Sequence, residues 1–232
     1  VMYLIKGLFE MHNKEQFDVY VYSLNSVEDE LTGELKRNVN VFRNISDISD
    51  EKAAFIARED SLDIAIDLMG YTKKRGLAIF SLRVAPIQIS YLGYPGTTGS
   101  DGIDYLIADK VVIPDKFRKF YSEKVIYMPN CYQCNDSKRK TSKKEFSKTE
   151  LGLPENAFVF ACFNANNKIT SVEFDIWMNL LKKIKNSVLW LYKSNDYSEI
   201  NLKKESENRG VESSRIIFAD MLSNEDLSLI HI

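Results

Sequence analysis

A glycine- and threonine-rich segment, residues 93–99 (GYPGTTG), follows directly after an apolar run and is the first candidate for a ligand site. The apolar run, residues 87–92, predicts a buried strand. Loops at the ends of such strands are where open α/β sheets bind ligands, and glycine lets a ligand approach the backbone closely. The segment has neither the Gly-Lys-Ser/Thr of a P-loop nor the G-x-G-x-x-G spacing. Two interpretations stay open: a ligand-binding loop, or a tight turn with a structural role only.

A lysine in the second half of the chain lies at a position suited to anion binding. An apolar run, residues 158–163, predicts a strand, and an Asn-rich segment leads from it to Lys168. Thr170 and Glu173 fit a capping box, which predicts a helix from about Thr170. Lys168 would then precede a helix N-terminus, where unpaired N–H groups, the helix dipole and the ammonium all favour an anion such as a diphosphate. The alternative is an ordinary exposed lysine.

Metal and redox chemistry have little support in the sequence. Cys131 and Cys134 are spaced as C-x-x-C, but zinc needs about two further ligands, and the only histidines are His12 and His231. We therefore predict free thiols without zinc. The chain contains no Asp-x-Asp pair, which commonly holds a metal-bound nucleotide, and no nucleophile elbow. Neither a metal nor another cofactor is expected.

The composition bounds the class of protein. The chain has 232 residues, 44% hydrophobic residues and a formal net charge of −2, so no strong field favours nucleic acid or anionic lipid. No apolar run reaches membrane-spanning length, and the N-terminus lacks the layout of a signal peptide. A reducing, cytoplasmic location is the expectation. The first residue, Val1, and the apolar last residues 227–232 suggest a piece of a longer protein.

Strands and helices alternate along the chain, which predicts parallel β/α units. Strands are predicted at residues 17–24, 39–42, 62–68, 87–92, 105–108, 125–128, 158–163, 187–192 and 215–219. Helical segments are predicted at residues 2–11, 31–37, 47–58, 77–82, 115–121, 172–184, 198–208 and 224–230. Because the carboxyl ends of parallel strands share an edge, residues 70–72 should lie beside the loop 93–99.

The alternation breaks once, which predicts two lobes. Residues 1–135 form the first lobe, residues 136–150 a basic linker, and residues 151–232 the second lobe. The break is rich in basic residues: Lys138, Arg139, Lys140, Lys143, Lys144 and Lys148. These could form a patch for phosphate or nucleic acid, but no aromatic stacking pattern accompanies them, which favours a solvated linker.

Several segments, in the same order along nearly the whole chain, resemble one enzyme family. They are FEMHNKEQFDVYVYSL, DIAIDLMGYTKKR, FSLRVAPIQISYLGYPGTTG, DYLIAD, YSEKVIYMPNCY, LGLPENAFVFACFNANNKI, WMNLLKKIKNSVLWL and RIIFAD. They resemble the catalytic region of the O-linked N-acetylglucosamine transferase and SPINDLY family of glycosyltransferases, in a bacterial-type version. The most specific parts are residues 92–97 and Phe163-Asn164 with Lys168-Ile169.

The resemblance implies a fold and an activity. The implied fold is α/β of GT-B type: two Rossmann-like lobes with mostly parallel sheets, the second truncated, and a nucleotide sugar between them. The implied activity is transfer of a sugar from a UDP-sugar to Ser or Thr of a protein, without a metal. Lys168 matches the lysine that binds the donor diphosphate and stabilises the leaving nucleotide, and the substrate-binding residues implied are Leu92, Gly93, Tyr94, Pro95, Gly96 and Asn164.

The chain also departs from the family pattern. Ala165 stands where a glutamine that contacts the nucleotide is common, and the histidine-bearing segment and the His-Thr-Thr-Gly type segment of the family are not among these 232 residues. The chain alone is therefore expected to be inactive. The donor sugar stays open among N-acetylglucosamine, glucose and fucose, with the first favoured, and the oligomeric state is open too. The second hypothesis is a non-catalytic GT-B-like module that binds a protein or a glycan.

Overall fold

The computed structural model describes residues 2–72, 76–138 and 144–220. The chain divides into two compact units, Val1–Lys138 and Arg139–Ile232. Their boundary falls within the segment 136–150 that the sequence assigns to a linker. The helix predicted at 224–230 lies outside the described residues.

The first unit contains parallel strands connected mainly by helices. Its helices are α1 (Met2–Met11), α2 (Glu30–Asn38), α3 (Asp50–Glu59) and α4 (Gly76–Ser81), with 3₁₀ turns at Gly70–Thr72 and Asp115–Phe120. Its strands are β1 (Tyr20–Ser23), β2 (Val41–Asn44), β3 (Ile64–Asp67), β4 (Ile87–Ser90), β5 (Tyr105–Ala108) and β6 (Lys124–Tyr127). Strands β1 and β2 form one parallel pair, and the others form a parallel sheet in the order β3-β4-β5-β6.

Local chemistry explains where α2 and α3 begin. The Asp29 carboxylate accepts a hydrogen bond from the Thr32 backbone N–H at 2.8 Å, and the Ser49 hydroxyl accepts one from the Lys52 N–H at 3.3 Å. Both are N-caps that satisfy a backbone donor left free by the first helical turn. Helix α3 then turns a face of small residues into the core: Ala53, Ala54 and Ala57.

The end of α3 carries a half-buried ionic cluster. The Asp60 carboxylate accepts hydrogen bonds from the Tyr22 hydroxyl at 2.5 Å and from the Arg43 Nε at 2.6 Å. The Arg43 guanidinium holds the pKa of Asp60 below its usual range, although partial burial acts in the opposite direction. The cluster ties β1 and β2 to α3.

Most predicted strands of the first unit differ from the observed bounds by one to three residues, and for two of them the structure shows the reason. The strand predicted at 39–42 begins at Val41, because Asn40 makes a turn in which its N–H donates to the Val19 carbonyl at 2.9 Å. The strand predicted at 87–92 ends at Ser90, because Leu92 adopts a left-handed backbone conformation with φ 69°. Leu92 is nevertheless buried, which is why its apolar side chain resembles a strand residue in the sequence.

Over residues 144–220, the second unit shows a three-stranded parallel sheet and two helices. Its strands are β7 (Phe158–Cys162), β8 (Ser187–Tyr192) and β9 (Ile216–Ala219), in the order β7-β8-β9, and its helices are α5 (Ser171–Lys183) and α6 (Asp196–Asn208). Short 3₁₀ turns lie at Asn166–Lys168 and Ser213–Arg215. The apolar side of α5 packs with Leu189 and Leu191 in one core cluster. Trp190, the residue between them on β8, belongs to a second cluster.

Candidate functional site

The loops that follow β3 and β4 are in contact, as the sequence predicts for neighbouring parallel strands. The ring of Tyr71 meets the ring of Tyr94 edge to face, with centroids 5.3 Å apart and planes at 88°. The Tyr71 hydroxyl also donates a hydrogen bond to the Thr98 carbonyl at 2.5 Å. The two loops therefore brace one another at the carboxyl edge of the sheet.

Close packing and backbone conformation require glycine at several positions of the loop 92–99. A Cβ on Gly93 would lie 2.2 Å from the Leu68 carbonyl oxygen, and a Cβ on Gly96 would lie 2.8 Å from the ring of Tyr94. Gly99 has a φ of +62°, a conformation that costs other residues energy. The glycine content is thus explained by close packing and turn geometry, so it does not by itself indicate a ligand.

Two backbone donors of the same loop find no acceptor in the part of the chain that the structure describes. Among the described residues, none accepts a hydrogen bond from the N–H of Tyr94 or Gly96. Pro95, between them in the sequence, is exposed, and Leu92, two residues before Tyr94, is buried. Neighbouring free N–H groups on a rigid turn can bind an oxygen of a polar ligand. This feature keeps the ligand-binding interpretation open for residues 92–96.

Sequence reasoning missed Glu123, which precedes β6 and is 1% exposed. Its Oε1 accepts hydrogen bonds from the Thr98 N–H at 2.6 Å and from the Thr98 hydroxyl, and its Oε2 accepts one from the Thr97 hydroxyl at 2.7 Å. Burial alone would raise the pKa of Glu123, but the hydrogen bonds from Thr98 and Thr97 outweigh it, and the pKa is lowered. No sequence pattern links residues 25 apart, so only the structure finds this contact.

A second buried carboxylate shapes the loop after β3. Asp67 is 4% exposed and accepts hydrogen bonds from the N–H groups of Met69 at 3.0 Å and Gly70 at 2.8 Å. Burial raises the pKa of Asp67, and these two backbone donors limit the rise. Asp67 thereby holds the turn that presents Tyr71 to the glycine loop.

In the second unit, Asn166 anchors the loop that carries Lys168. Its amide nitrogen donates to the Tyr192 carbonyl at 3.0 Å, and its amide oxygen accepts from the Ser194 N–H at 3.2 Å and from the Ser198 hydroxyl at 3.0 Å. The loop after β7 is thus attached to the end of β8 and the start of α6. Asn166 is a further residue that the sequence analysis did not single out.

Lys168 ends the 3₁₀ turn Asn166–Lys168 and is exposed. In the part of the chain that the structure describes, no carboxylate lies within ion-pair distance of its ammonium group. Lys193, by contrast, pairs with Asp196 and Glu199, each at 3.2 Å. A lysine on an anchored loop, close to a helix N-terminus and unpaired within the described segments, is available to an external anion.

The predicted start of α5 is confirmed, but the predicted capping box is wrong. Thr170 is the N-cap residue of the helix Ser171–Lys183, yet its side chain caps no backbone N–H. The Thr170 hydroxyl bonds instead to the Glu173 carboxylate, which lowers the pKa of Glu173. This pairing leaves the first-turn N–H groups of α5 without the usual side-chain cap.

The site residues predicted from the sequence are divided between the two units. Residues 92–96 belong to the first unit, whereas Asn164 and Lys168 belong to the second. Asn164 is exposed, and its amide nitrogen donates a weak hydrogen bond to the Cys162 sulfur at 3.8 Å. Ala165, also exposed, precedes the 3₁₀ turn.

The contacts of the cysteines and of the basic segment can be given for the part of the chain that the structure describes. Cys131, Cys134 and Cys162 are in no disulfide, and no cluster of three metal-binding side chains occurs among residues 2–72, 76–138 and 144–220. The Lys138 ammonium pairs with Glu10 at 2.7 Å, and that of Lys148 donates to the Ala157 carbonyl at 2.9 Å. Arg139, Lys140 and Lys143 lie outside the described residues.

We expect the purified protein to contain no stoichiometric zinc, because the C-x-x-C pair has no further ligand in the described chain. Elemental analysis together with thiol titration of the denatured protein tests this prediction. Free thiols at Cys131 and Cys134 without bound metal are the expected result. One zinc per chain that is lost when Cys131 is replaced by serine would contradict it.

The described helices were also searched for membrane spans. None of them is both long and apolar enough to cross a bilayer.

Comparison with known proteins defines the class. Over 99% of its length the chain superposes on a point mutant of the O-GlcNAc transferase of Thermobaculum terrenum, with a TM-score of 0.86 and 26% identity, covering 43% of that chain. Together with the parallel α/β sheets, this match shows a fold of GT-B type. The model of glycosyl transferase family 41 matches residues 1–146 and 141–228. The chain belongs to that family.

Curated relatives agree with this assignment and are much longer. A probable UDP-N-acetylglucosamine–peptide N-acetylglucosaminyltransferase SEC of Arabidopsis thaliana is 36% identical over 225 residues, which is 94% of this chain and 23% of that protein. A probable enzyme of the same type named SPINDLY, of Eustoma exaltatum subsp. russellianum, is 32% identical over 81% of this chain and 20% of its own length. The chain thus spans a quarter or less of these relatives.

Proposed function

We propose that this chain is part of the catalytic region of a protein O-glycosyltransferase. The reaction moves a sugar from a UDP-sugar to a Ser or Thr hydroxyl of a protein, and N-acetylglucosamine is the favoured sugar. The structural observation that carries the proposal is the ammonium of Lys168, exposed and without an ion-pair partner in the described chain, on an anchored loop before α5. Family membership and the names of the relatives supply the reaction type.

Lys168 accounts for chemistry at the leaving group. When the bond between the sugar and the diphosphate breaks, negative charge accumulates on the phosphate oxygen that departs with UDP. A fixed ammonium that contacts this oxygen stabilises the transition state more than the ground state. This role requires no metal, in keeping with the absence of an Asp-x-Asp pair from the sequence.

The loop 92–96 has a different role in the proposal. The N–H groups of Tyr94 and Gly96, for which no described residue is an acceptor, suit hydroxyl or carbonyl oxygens of the donor sugar. Binding to rigid backbone donors fixes the sugar without a large loss of side-chain entropy. The proposal includes a cytoplasmic location.

A second candidate is a non-catalytic module that binds a protein or a glycan. Ala165 favours it, because the resemblance places there a glutamine that contacts the nucleotide. An exposed alanine offers no hydrogen bond to a base or ribose.

Mass spectrometry of acceptor proteins incubated with the complete gene product and a sugar nucleotide tests the two candidates. The expected result is an acceptor that gains one N-acetylhexosamine on Ser or Thr with UDP-N-acetylglucosamine, and transfer that is unchanged by EDTA. Donors of glucose and fucose serve as comparisons for sugar choice. Binding of a glycan or protein without transfer from any donor would support the second candidate and contradict the first.

A further inference from the structure

We propose that Glu123 is a positioning residue for the glycine loop: its buried carboxylate holds residues 97 and 98 and thereby sets the shape of residues 92–96. The inference rests on the proposed function, which assigns this loop to the donor sugar. Glu123 itself is buried and hydrogen-bonds to the loop, so its proposed role is to act through the loop.

The position of the hydrogen bonds supports this role. At its first end the loop is fixed by backbone packing, because Gly93 lies against the Leu68 carbonyl. At its other end it is fixed by Glu123, which binds the hydroxyls of Thr97 and Thr98 and the N–H of Thr98. Tyr94 and Gly96, whose N–H groups have no acceptor among the described residues, lie between these two fixed points. A change at either end is therefore expected to move the donors that the proposed function assigns to the sugar.

The charge of Glu123 makes the contact strong. Among the described residues, no lysine or arginine pairs with this carboxylate. Its negative charge is stabilised by three hydrogen-bond donors of the loop, which are the Thr97 hydroxyl, the Thr98 hydroxyl and the Thr98 N–H. A buried carboxylate without hydrogen bonds is energetically costly. The ionised side chain consequently stabilises the one loop conformation that brings all three donors to it.

The two residues before Glu123 also hydrogen-bond to the glycine loop. The Tyr121 hydroxyl donates to the Pro95 carbonyl at 3.3 Å, and the Ser122 N–H donates to the Thr97 hydroxyl oxygen at 3.3 Å. Residues 121–123 thus contact the loop at three places. Of these contacts, those of Glu123 are the shortest, so Glu123 is the residue to test.

An amide cannot replace the carboxylate at this place. In one orientation of Glu123→Gln the NH₂ group meets the N–H of Thr98, which is also a donor. In the other it meets the Thr97 hydroxyl oxygen, which already accepts from the N–H groups of Ser122 and Gly99, both at 3.3 Å. The variant is nearly isosteric, so it disturbs the loop without opening a cavity.

The test compares binding of UDP with use of UDP-N-acetylglucosamine by the complete gene product. For Glu123→Gln we expect kcat/KM for UDP-N-acetylglucosamine to fall by roughly 10- to 100-fold, since small misplacements of a binding group cost about this much. Affinity for UDP alone, measured by calorimetry, should stay within about twofold of wild type, because the loop is assigned to the sugar. A merely structural defect would lower both quantities together.

Two further variants make the result decisive. Asp60→Asn is the matched control, because Asp60 is a half-buried hydrogen-bonded carboxylate of the same unit whose bonds go to Tyr22 and Arg43 and not to the loop. It should leave kcat/KM within about twofold of wild type. Thr97→Val removes a single hydroxyl, so kcat/KM should fall less than in Glu123→Gln while the affinity for UDP again stays close to wild type. This variant also tests the proposal if Glu123→Gln does not fold.

The possible results distinguish a failure of the proposed function from a failure of the role proposed for Glu123. If wild type neither binds UDP nor uses any sugar nucleotide, the proposed function fails and this inference fails with it. If wild type is active but Glu123→Gln and Thr97→Val leave kcat/KM unchanged, or lower UDP affinity equally, the inference alone is overturned.

Discussion

Replacing Lys168 by alanine is expected to lower sugar transfer by the complete gene product by about 100-fold or more. The exposed ammonium has no intramolecular ion pair in the described chain, so its loss leaves no partner unsatisfied and the fold intact. Its proposed partner is the diphosphate, where a charge-assisted contact contributes roughly 1.5–3 kcal/mol in the ground state. The contribution grows in the transition state, because charge builds on the leaving oxygen. The measurement is steady-state transfer and donor hydrolysis under matched conditions.

Two variants control this experiment. Lys183→Ala removes another exposed lysine, from the last turn of α5, and should change the rate little. Lys168→Arg keeps the charge but replaces a compact ammonium by a planar fork, so we expect only partial activity. Wild-type rates in Lys168→Ala would exclude Lys168 from the mechanism and remove the structural support for a diphosphate site in the second unit.

Replacing Gly93 by alanine is expected to destabilise the first unit by about 1–3 kcal/mol and to abolish most of the activity. The new Cβ would lie 2.2 Å from the Leu68 carbonyl oxygen, which is backbone and has no rotamer that relieves the overlap. The loops after β3 and β4 must therefore separate, and the contact between Tyr71 and Tyr94 is lost with them. Gly93 thus matters for the close approach of two backbone segments.

Hydrogen exchange followed by mass spectrometry measures the loss of stability in the first unit separately from the second. Peptides that cover β3 and β4 should exchange faster in Gly93→Ala, with the logarithm of the exchange rate rising as the unfolding free energy falls. Both tryptophans, Trp177 and Trp190, belong to the second unit, so tryptophan fluorescence gives an internal control that should not change.

Gly33→Ala is the matched substitution for Gly93→Ala. A Cβ on Gly33 would meet only the Arg37 side chain at 3.8 Å, and Gly33 lies within α2, where alanine is favoured over glycine by roughly 0.5–1 kcal/mol. This variant should be as stable as wild type or more so. Equal protection of β3 and β4 in both glycine variants would show that the loop tolerates a side chain at 93.

The local sequence determined most of the secondary structure, since apolar periodicity and flanking polar residues are sufficient signals for it. The strand Ser187–Tyr192 was predicted with its observed bounds, because an unbroken apolar run lies between polar residues. The strand at 39–42 was misplaced by two residues, because the turn at Asn40 depends on the Val19 carbonyl, far away in the sequence. Boundaries fail where a distant residue decides them.

The same division holds for the candidate site. The sequence determined the candidate Lys168, because a strand, a polar loop and a helix start are local patterns, and it determined the family through motifs along nearly the whole chain. Only the tertiary structure decided that Gly93 is required by the Leu68 backbone and that Glu123 holds the glycine loop. These contacts join residues 25 positions apart. Such pairs leave no periodic trace in a single sequence, because they arise from the way loops and strands distant along the chain pack against one another in the folded unit.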